Sequence, residues 1–104
     1  MWRWRELLPV DDPAAIVTLG EGDTPLLRLA NLAAAYEIPD LLLKDEALNP
    51  TGTFKARGMA AAVTRAVELG VREFVIPTAG NAGGALAFYA GRASSRAHVY
   101  MPAD

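Results

Sequence analysis

The chain contains no cysteine and a single histidine, His98. The first absence excludes a disulfide, a thiolate nucleophile and any cysteine zinc site. The second excludes a triad or metal cluster that needs two histidines, so no metal site is expected. Charge of one sign is also missing: ten Lys and Arg stand against twelve Asp and Glu, a net charge of −2. No basic stripe runs along any predicted face, which argues against nucleic acid as a partner. Long hydrophobic runs are absent as well. The longest, around AGGALAFYAG (82–91), falls well short of the roughly 20 residues of a membrane span and reads as a buried helix. The opening MWRWRELLPV mixes charge with tryptophan and lacks the apolar run of a secretory signal, so a cytoplasmic location is expected. There is no internal repeat and no low-complexity linker. What remains is 104 residues at 52% hydrophobic composition, enough for one domain with a modest core.

From Phe74 onward the pattern alternates strand and helix, which predicts an α/β fold with a parallel sheet. EFVIP (73–77) and AHVYM (97–101) are short, β-branched and bounded by turn residues, as strands are. NAGGALAFYAGRA (81–93) between them has the length and apolar character of a helix buried on more than one side, completing one crossover unit. Upstream, FKARGMAAAVTRAVELG places Met59, Val63, Ala66 and Val67 at helical spacing, with Thr53 as N-cap and Gly70 as C-terminal stop. LLLK (41–44) reads as the strand before it, LANLAAAY (29–36) as a short helix ended by Pro39, and GEGDTPL (20–26) as a turn into an extended piece. Trp2, Trp4 and Phe88 are expected to pack, and His98 to be an ordinary half-buried strand residue. The last strand has no following helix to cover it. That predicts uncovered edges and faces, as in the front part of a larger protein.

Two loops carry the chemistry. In NPTGTFKARG (49–58), Lys55 falls in the first turn of a helix, where the positive end of the macrodipole disfavours an ammonium. Phe54 beside it is expected to help desolvate it. A neutral amine is what Schiff-base chemistry requires. In PTAGNAGG (77–84), a strand ends and a helix begins, the place where open α/β sheets bind ligands. Thr78, Asn81 and the free amides of the helix start can face a carboxylate, and Gly80 permits unusual backbone angles. Gly83 and Gly84 each cost about 1 kcal/mol of helix propensity relative to alanine. Either the close approach of another backbone or that of a planar ligand would account for them.

Taken together, EGDTPL, NPTGTFKARG and PTAGNAGGALAFYA, in this order and spacing, resemble the tryptophan-synthase-β-like, fold type II pyridoxal-phosphate enzymes. Within that superfamily WRWRELLPV followed by VTLGEGDTPLLRL is most similar to the threonine synthase family. The resemblance implies the parallel-sheet, three-layer fold of those enzymes, with residues 1–104 as the amino-terminal part of the catalytic domain and no complete second domain. It implies pyridoxal 5'-phosphate bound to Lys55, which also moves protons at the substrate's carbons. Phe54 helps to aim the amine, and Asn81 bonds the cofactor's ring hydroxyl. Thr78, Ala79, Gly80, Asn81 and Ala82 receive the α-carboxylate of a small amino-acid substrate. The implied reaction converts O-phosphohomoserine and water to threonine and phosphate, in a full-length enzyme that can be a homo-oligomer. The 104 residues alone are expected to be inactive, because the phosphate cup and the partner of the pyridine nitrogen lie downstream in that family. Ala56 follows the lysine where many threonine synthases carry aspartate, and Ala82 follows the asparagine where threonine dehydratases usually place histidine. A threonine or serine dehydratase, or a related ammonia-lyase, keeps the cofactor and changes the substrate. A small anion-binding α/β module would use only Thr78 to Ala82.

Overall fold

The computed structural model describes residues 1–103. Its elements are β1 (Leu26–Arg28), α1 (Ala30–Ala35), β2 (Leu42–Lys44), α2 (Lys55–Glu68), β3 (Glu73–Pro77), α3 (Asn81–Arg92) and β4 (Arg96–Tyr100). Short 3-10 turns occupy Trp2–Leu7, Pro13–Ala15 and Glu46–Leu48. The strand at 73–77 has the expected bounds, and the last strand begins one residue earlier than its apolar run suggests.

β3 and β4 are parallel, with Glu73 opposite Arg96 and Pro77 opposite Tyr100. The period of two along β3 turns Phe74 and Ile76 toward the helices and leaves Val75 exposed. On α2 the buried positions are Ala56, Ala60, Val63 and Thr64, which recur every three to four residues and form one face. They meet Val17 and, on α3, Leu86 and Tyr89. This face is rotated from the expected one. Met59 and Val67 sit at its margin, because alanine rather than a large side chain lets α2 approach its neighbour. Tyr89 is fully buried and fills the space that the alanines leave. Thr64 serves the same seam: its hydroxyl accepts from the Val17 amide at 3.0 Å and donates to the Val17 carbonyl at 3.4 Å, pairing both backbone groups of a buried residue. α2 ends as predicted, with Gly70 at φ +89 and its amide bonded to the Val67 carbonyl.

β1 and β2 form a separate antiparallel pair, Leu26 opposite Lys44 and Arg28 opposite Leu42, joined by α1. None of these three elements has a buried residue, so the unit stands off the core. The result is a plate of 51 × 41 × 16 Å with a radius of gyration of 16.7 Å, against about 13 Å for a compact chain of this length.

One helical layer covers one face of the parallel sheet. On the other face Val75 and Tyr100 are exposed, as is His98, whose Nε2 lies 2.8 Å from Glu73 on the neighbouring strand. His98 is thus an exposed hydrogen-bond partner of Glu73 rather than a half-buried residue. Trp4 and Phe88, expected to pack, are more than half exposed. Gly83, Ala85, Leu86, Tyr89 and Ala90 already fill the inward side of α3, which leaves Phe88 on the outward one. The helix is therefore buried on one side only.

Gly83 is where backbone closeness is required: a Cβ there would lie 2.6 Å from a Val99 methyl and 2.8 Å from the Thr78 methyl. At Gly84 a Cβ would meet nothing within 4 Å. Gly83→Ala is expected to destabilise the protein by about 1–3 kcal/mol through overpacking, offset in part by the gain in helix propensity. Gly84→Ala is expected to stabilise it by about 0.5–1 kcal/mol. Urea denaturation of the two variants beside the parent measures both, and equal shifts of the same sign would contradict the assignment.

Candidate functional site

Lys55 is the first residue of α2 and Asn81 the first of α3. Both helices start without a side chain from the N-cap residue, which is Phe54 in one and Gly80 in the other. For α2 the neighbouring residue substitutes: Thr53 Oγ1 accepts from the Lys55 amide at 3.2 Å, close to its expected capping role. For α3 the hydroxyl of Thr78 accepts from the Gly80 amide at 3.2 Å, while the amides of Asn81 and Ala82, in the first turn, have no carbonyl of a preceding turn to bond. Ala79, Gly80 and Asn81 are exposed, and Thr78 and Ala82 are half-buried. Gly80 has φ −164, extended backbone open to any residue, and a Cβ there would meet nothing within 4 Å. The expected need for unusual angles at Gly80 is therefore not met.

The Lys55 side chain is exposed, and its Nζ sits 4.7 Å from the centroid of the Phe54 ring, a cation–π distance. Phe54 is itself exposed, so the expected desolvation by this ring is absent from the structure. The chain's other lysine, Lys44, donates to the Thr24 carbonyl. Lys55 is thus the lysine whose amine is not engaged by a backbone or carboxylate oxygen among the described residues. Thr51, in the same loop, has a buried hydroxyl without a hydrogen-bond partner. Sequence reasoning missed this residue, since nothing distinguishes one threonine of a polar turn from the next.

The segment 17–22 relates the two helices. Along it, Val17 is bonded to Thr64 of α2 and Gly22 lies against Arg57, while Thr18 accepts from Arg92 of α3 and Glu21 from Tyr89. Residue numbers fall on both helices as they rise along the segment. The helices therefore run in the same sense, and the ends bearing Lys55 and Asn81 lie toward the same side of the plate. That side is the carboxyl edge of the sheet, where the first turn of α3 packs on Val99 and Thr78.

Two carboxylates hold this arrangement: Glu21, which reads as a turn residue in the sequence, and Glu46, which no sequence motif singles out. Glu21 is 3% exposed. It accepts from Tyr89 OH at 2.7 Å, the Leu19 amide at 3.0 Å, Thr18 Oγ1 at 3.1 Å and Trp2 Nε1. Burial pushes its carboxyl pKa up. The donors, Tyr89 foremost, more than reverse that, and the net direction is down. Tyr89 is pushed up, by burial first and then by the carboxylate that accepts its proton. Glu46 accepts from Arg57 Nε and Nη2 at 2.5 and 2.7 Å and from Thr24 Oγ1 at 2.6 Å. The Arg57 guanidinium, with help from Thr24, holds its carboxyl well below the ordinary range.

A carboxyl whose folded pKa is depressed contributes stability that is complete above its unfolded value, about 4.3 for glutamate, and is lost as pH falls through the folded value. Tyr89→Phe removes one donor from Glu21 and so raises that folded value. We expect the variant to lose about 1–2 kcal/mol at neutral pH and to begin acid unfolding at a higher pH than the parent. Circular dichroism at graded pH measures this; coincident acid transitions would show that Glu21 does not depend on the tyrosine.

Comparison with known proteins shows the family. The family model of the pyridoxal-phosphate dependent enzymes matches residues 17–104. Threonine synthase from Methanocaldococcus jannaschii is 46% identical over 102 residues, covering 98% of this chain and 25% of that protein. Threonine synthase from Methanosarcina acetivorans is 42% identical over 99% of this chain and 25% of its own length. That of Halalkalibacterium halodurans is 42% identical over 95% and 28%. The chain thus spans about a quarter of the length of these relatives. Its lysine loop, its β3–α3 turn and nearly all of its core lie inside the matched region, and it belongs to the family of pyridoxal-phosphate dependent enzymes.

Proposed function

We propose that the protein carrying this chain is a threonine synthase that converts O-phosphohomoserine and water to threonine and phosphate, with pyridoxal phosphate held on Lys55. The observation that carries the reading is the shared direction of α2 and α3, whose amino ends present a free primary amine and uncapped amides on one side of the plate. The residues suit the cofactor. A primary amine can condense with an aldehyde, Asn81 offers both a donor and an acceptor to a ring oxygen, and Thr51 has an unused buried hydroxyl. When bound, the cofactor supplies an electron sink for negative charge at the substrate's carbons.

The chain's own residues do the remainder. The amides of Ala79, Asn81 and Ala82, at the positive end of α3, take the substrate's α-carboxylate. Gly80 and Gly84, which no protein contact requires, keep that approach free of side chains. Lys55 carries protons between substrate carbons, and Phe54 limits where its amine points. The substrate choice follows the relatives, which are threonine synthases at 42–46% identity. Ala56, which stands where many threonine synthases carry aspartate, is fully buried in the core. A place in threonine biosynthesis and a cytoplasmic location accompany this reading, and no helix among the described residues is long and apolar enough to cross a membrane.

Borohydride reduction of the full-length protein with pyridoxal phosphate is expected to fix the cofactor's mass on the peptide containing Lys55, and Lys55→Ala to abolish that label. Phosphate release from O-phosphohomoserine with matching threonine formation tests the substrate. Label on another lysine would refute the site, and ammonia from threonine without phosphate release from O-phosphohomoserine would favour the dehydratase.

A further inference from the structure

The loop that presents Lys55 is pinned at both of its ends by one side chain. Arg57, on the first turn of α2, grips the Glu46 carboxylate with a two-pronged fork at 2.5 and 2.7 Å. Asn49, at the start of the loop and 4% exposed, donates its amide to the same carboxylate at 3.0 Å and to the Glu46 carbonyl at 2.9 Å. Its side-chain oxygen accepts from the Gly22 amide at 3.0 Å, and Thr24 occupies the remaining side of the carboxylate at 2.6 Å. Only residues 50–56 separate the two anchored points. Within them the Gly52 amide bonds back to Asn49 at 2.8 Å and the Ala56 amide to Thr53 at 3.3 Å.

We propose that Glu46 is a positioning residue for Lys55: by joining Arg57 to Asn49 it closes the 49–57 loop and sets the direction in which the lysine amine leaves α2. The proposal rests on the reading of Lys55 as the cofactor-bearing residue. It is separate from general support of the helix, because α2 has a second clasp of similar make-up at its far end. There Glu68 accepts from the amides of Asp11 and Asp12 at 2.9 and 2.5 Å and from Arg65 at 2.6 Å. Glu68 ends the helix that Lys55 begins, roughly 20 Å away at 1.5 Å per residue. Loss of either clasp loosens α2, and only loss of the first frees the loop.

The test uses the full-length protein and three variants. Glu46→Gln keeps the shape and the oxygen acceptor while removing the charge that Arg57 needs. Arg57→Lys keeps the charge and removes the fork. Glu68→Gln is the control for stability. Each is mixed with pyridoxal phosphate, quenched with borohydride at intervals, and the Lys55 peptide quantified by mass; urea denaturation is recorded in parallel. Glu46→Gln and Arg57→Lys are expected to slow labelling of Lys55 on the order of 10-fold, and Glu68→Gln to leave it within about twofold despite a similar loss of stability. Labelling at the parent's rate in the first two variants, or equal slowing by all three, overturns the proposal. If Glu46→Gln does not fold, Arg57→Lys decides. An unlabelled Lys55 in the parent overturns the reading of the lysine and this proposal with it, whereas a labelled parent with unaffected variants overturns the proposal alone.

Discussion

A buried carboxylate has to find donors, and Glu21 finds them in separate parts of the chain: Trp2 in the amino-terminal turn, Thr18 and Leu19 in its own turn, and Tyr89 in α3. Leaving such a group short of partners costs several kcal/mol, so the requirement is strict. Satisfying it brings the amino-terminal arm, the 17–24 segment and α3 to one point. The backbone beside Glu21 then meets the lysine loop, since Gly22 donates to Asn49 and Thr24 to Glu46. Gly22 has φ +95, and a Cβ there would sit 2.6 Å from the Met1 nitrogen, so this crossing admits only glycine. The motif GEGDT is thus a joint between the two helices that bear the candidate site.

Much of this was legible in the sequence, and the reasons differ by element. The crossover unit from β3 to β4 was visible because a parallel strand is short, apolar and β-branched, and the helix between has a length no strand reaches. The amino ends at Lys55 and Asn81 were visible because turn residues crowd just before them. The face of α2 was misjudged because periodicity ranks residues by size. Here the close contact is made by Ala56 and Ala60, whose small side chains stand out less in such a pattern than Met59 and Val67. Phe88 and Trp4 were misjudged for the opposite reason: a large aromatic is expected inside, and their outward positions follow from neighbours that pattern cannot identify.

The polar joint could not be foreseen at all. Glu21 sits in a stretch that reads as a turn and Glu46 between a strand and the lysine loop, and an acidic residue in such a place is ordinarily solvated. What distinguishes them is a set of partners 11 to 68 positions away in sequence, a relation that no local window contains. The glycines of α3 divide in a similar way. Gly83 is accounted for by Val99 and Thr78, whereas Gly80 and Gly84 have open space where a side chain would go. The sequence treats Gly83 and Gly84 alike, and only the fold separates packing from access.

The register of α2 links the core to the candidate chemistry. Adjacent residues of a helix point about 100° apart, so burying Ala56 against α3 commits Lys55 to a different face. The buried set Ala56, Ala60, Val63 and Thr64 leaves one rotational setting of the helix that satisfies both the seam and the Val17 backbone. Turning α2 by one residue would put the Lys55 ammonium into that seam and the Val17 amide out of reach of a hydroxyl. Each of these penalties is a few kcal/mol, large against the marginal stability of a small chain. The amine is therefore kept at the surface of the carboxyl edge by packing that never touches it. What packing leaves undetermined, the direction of the loop before it, is the part that the Glu46 carboxylate holds.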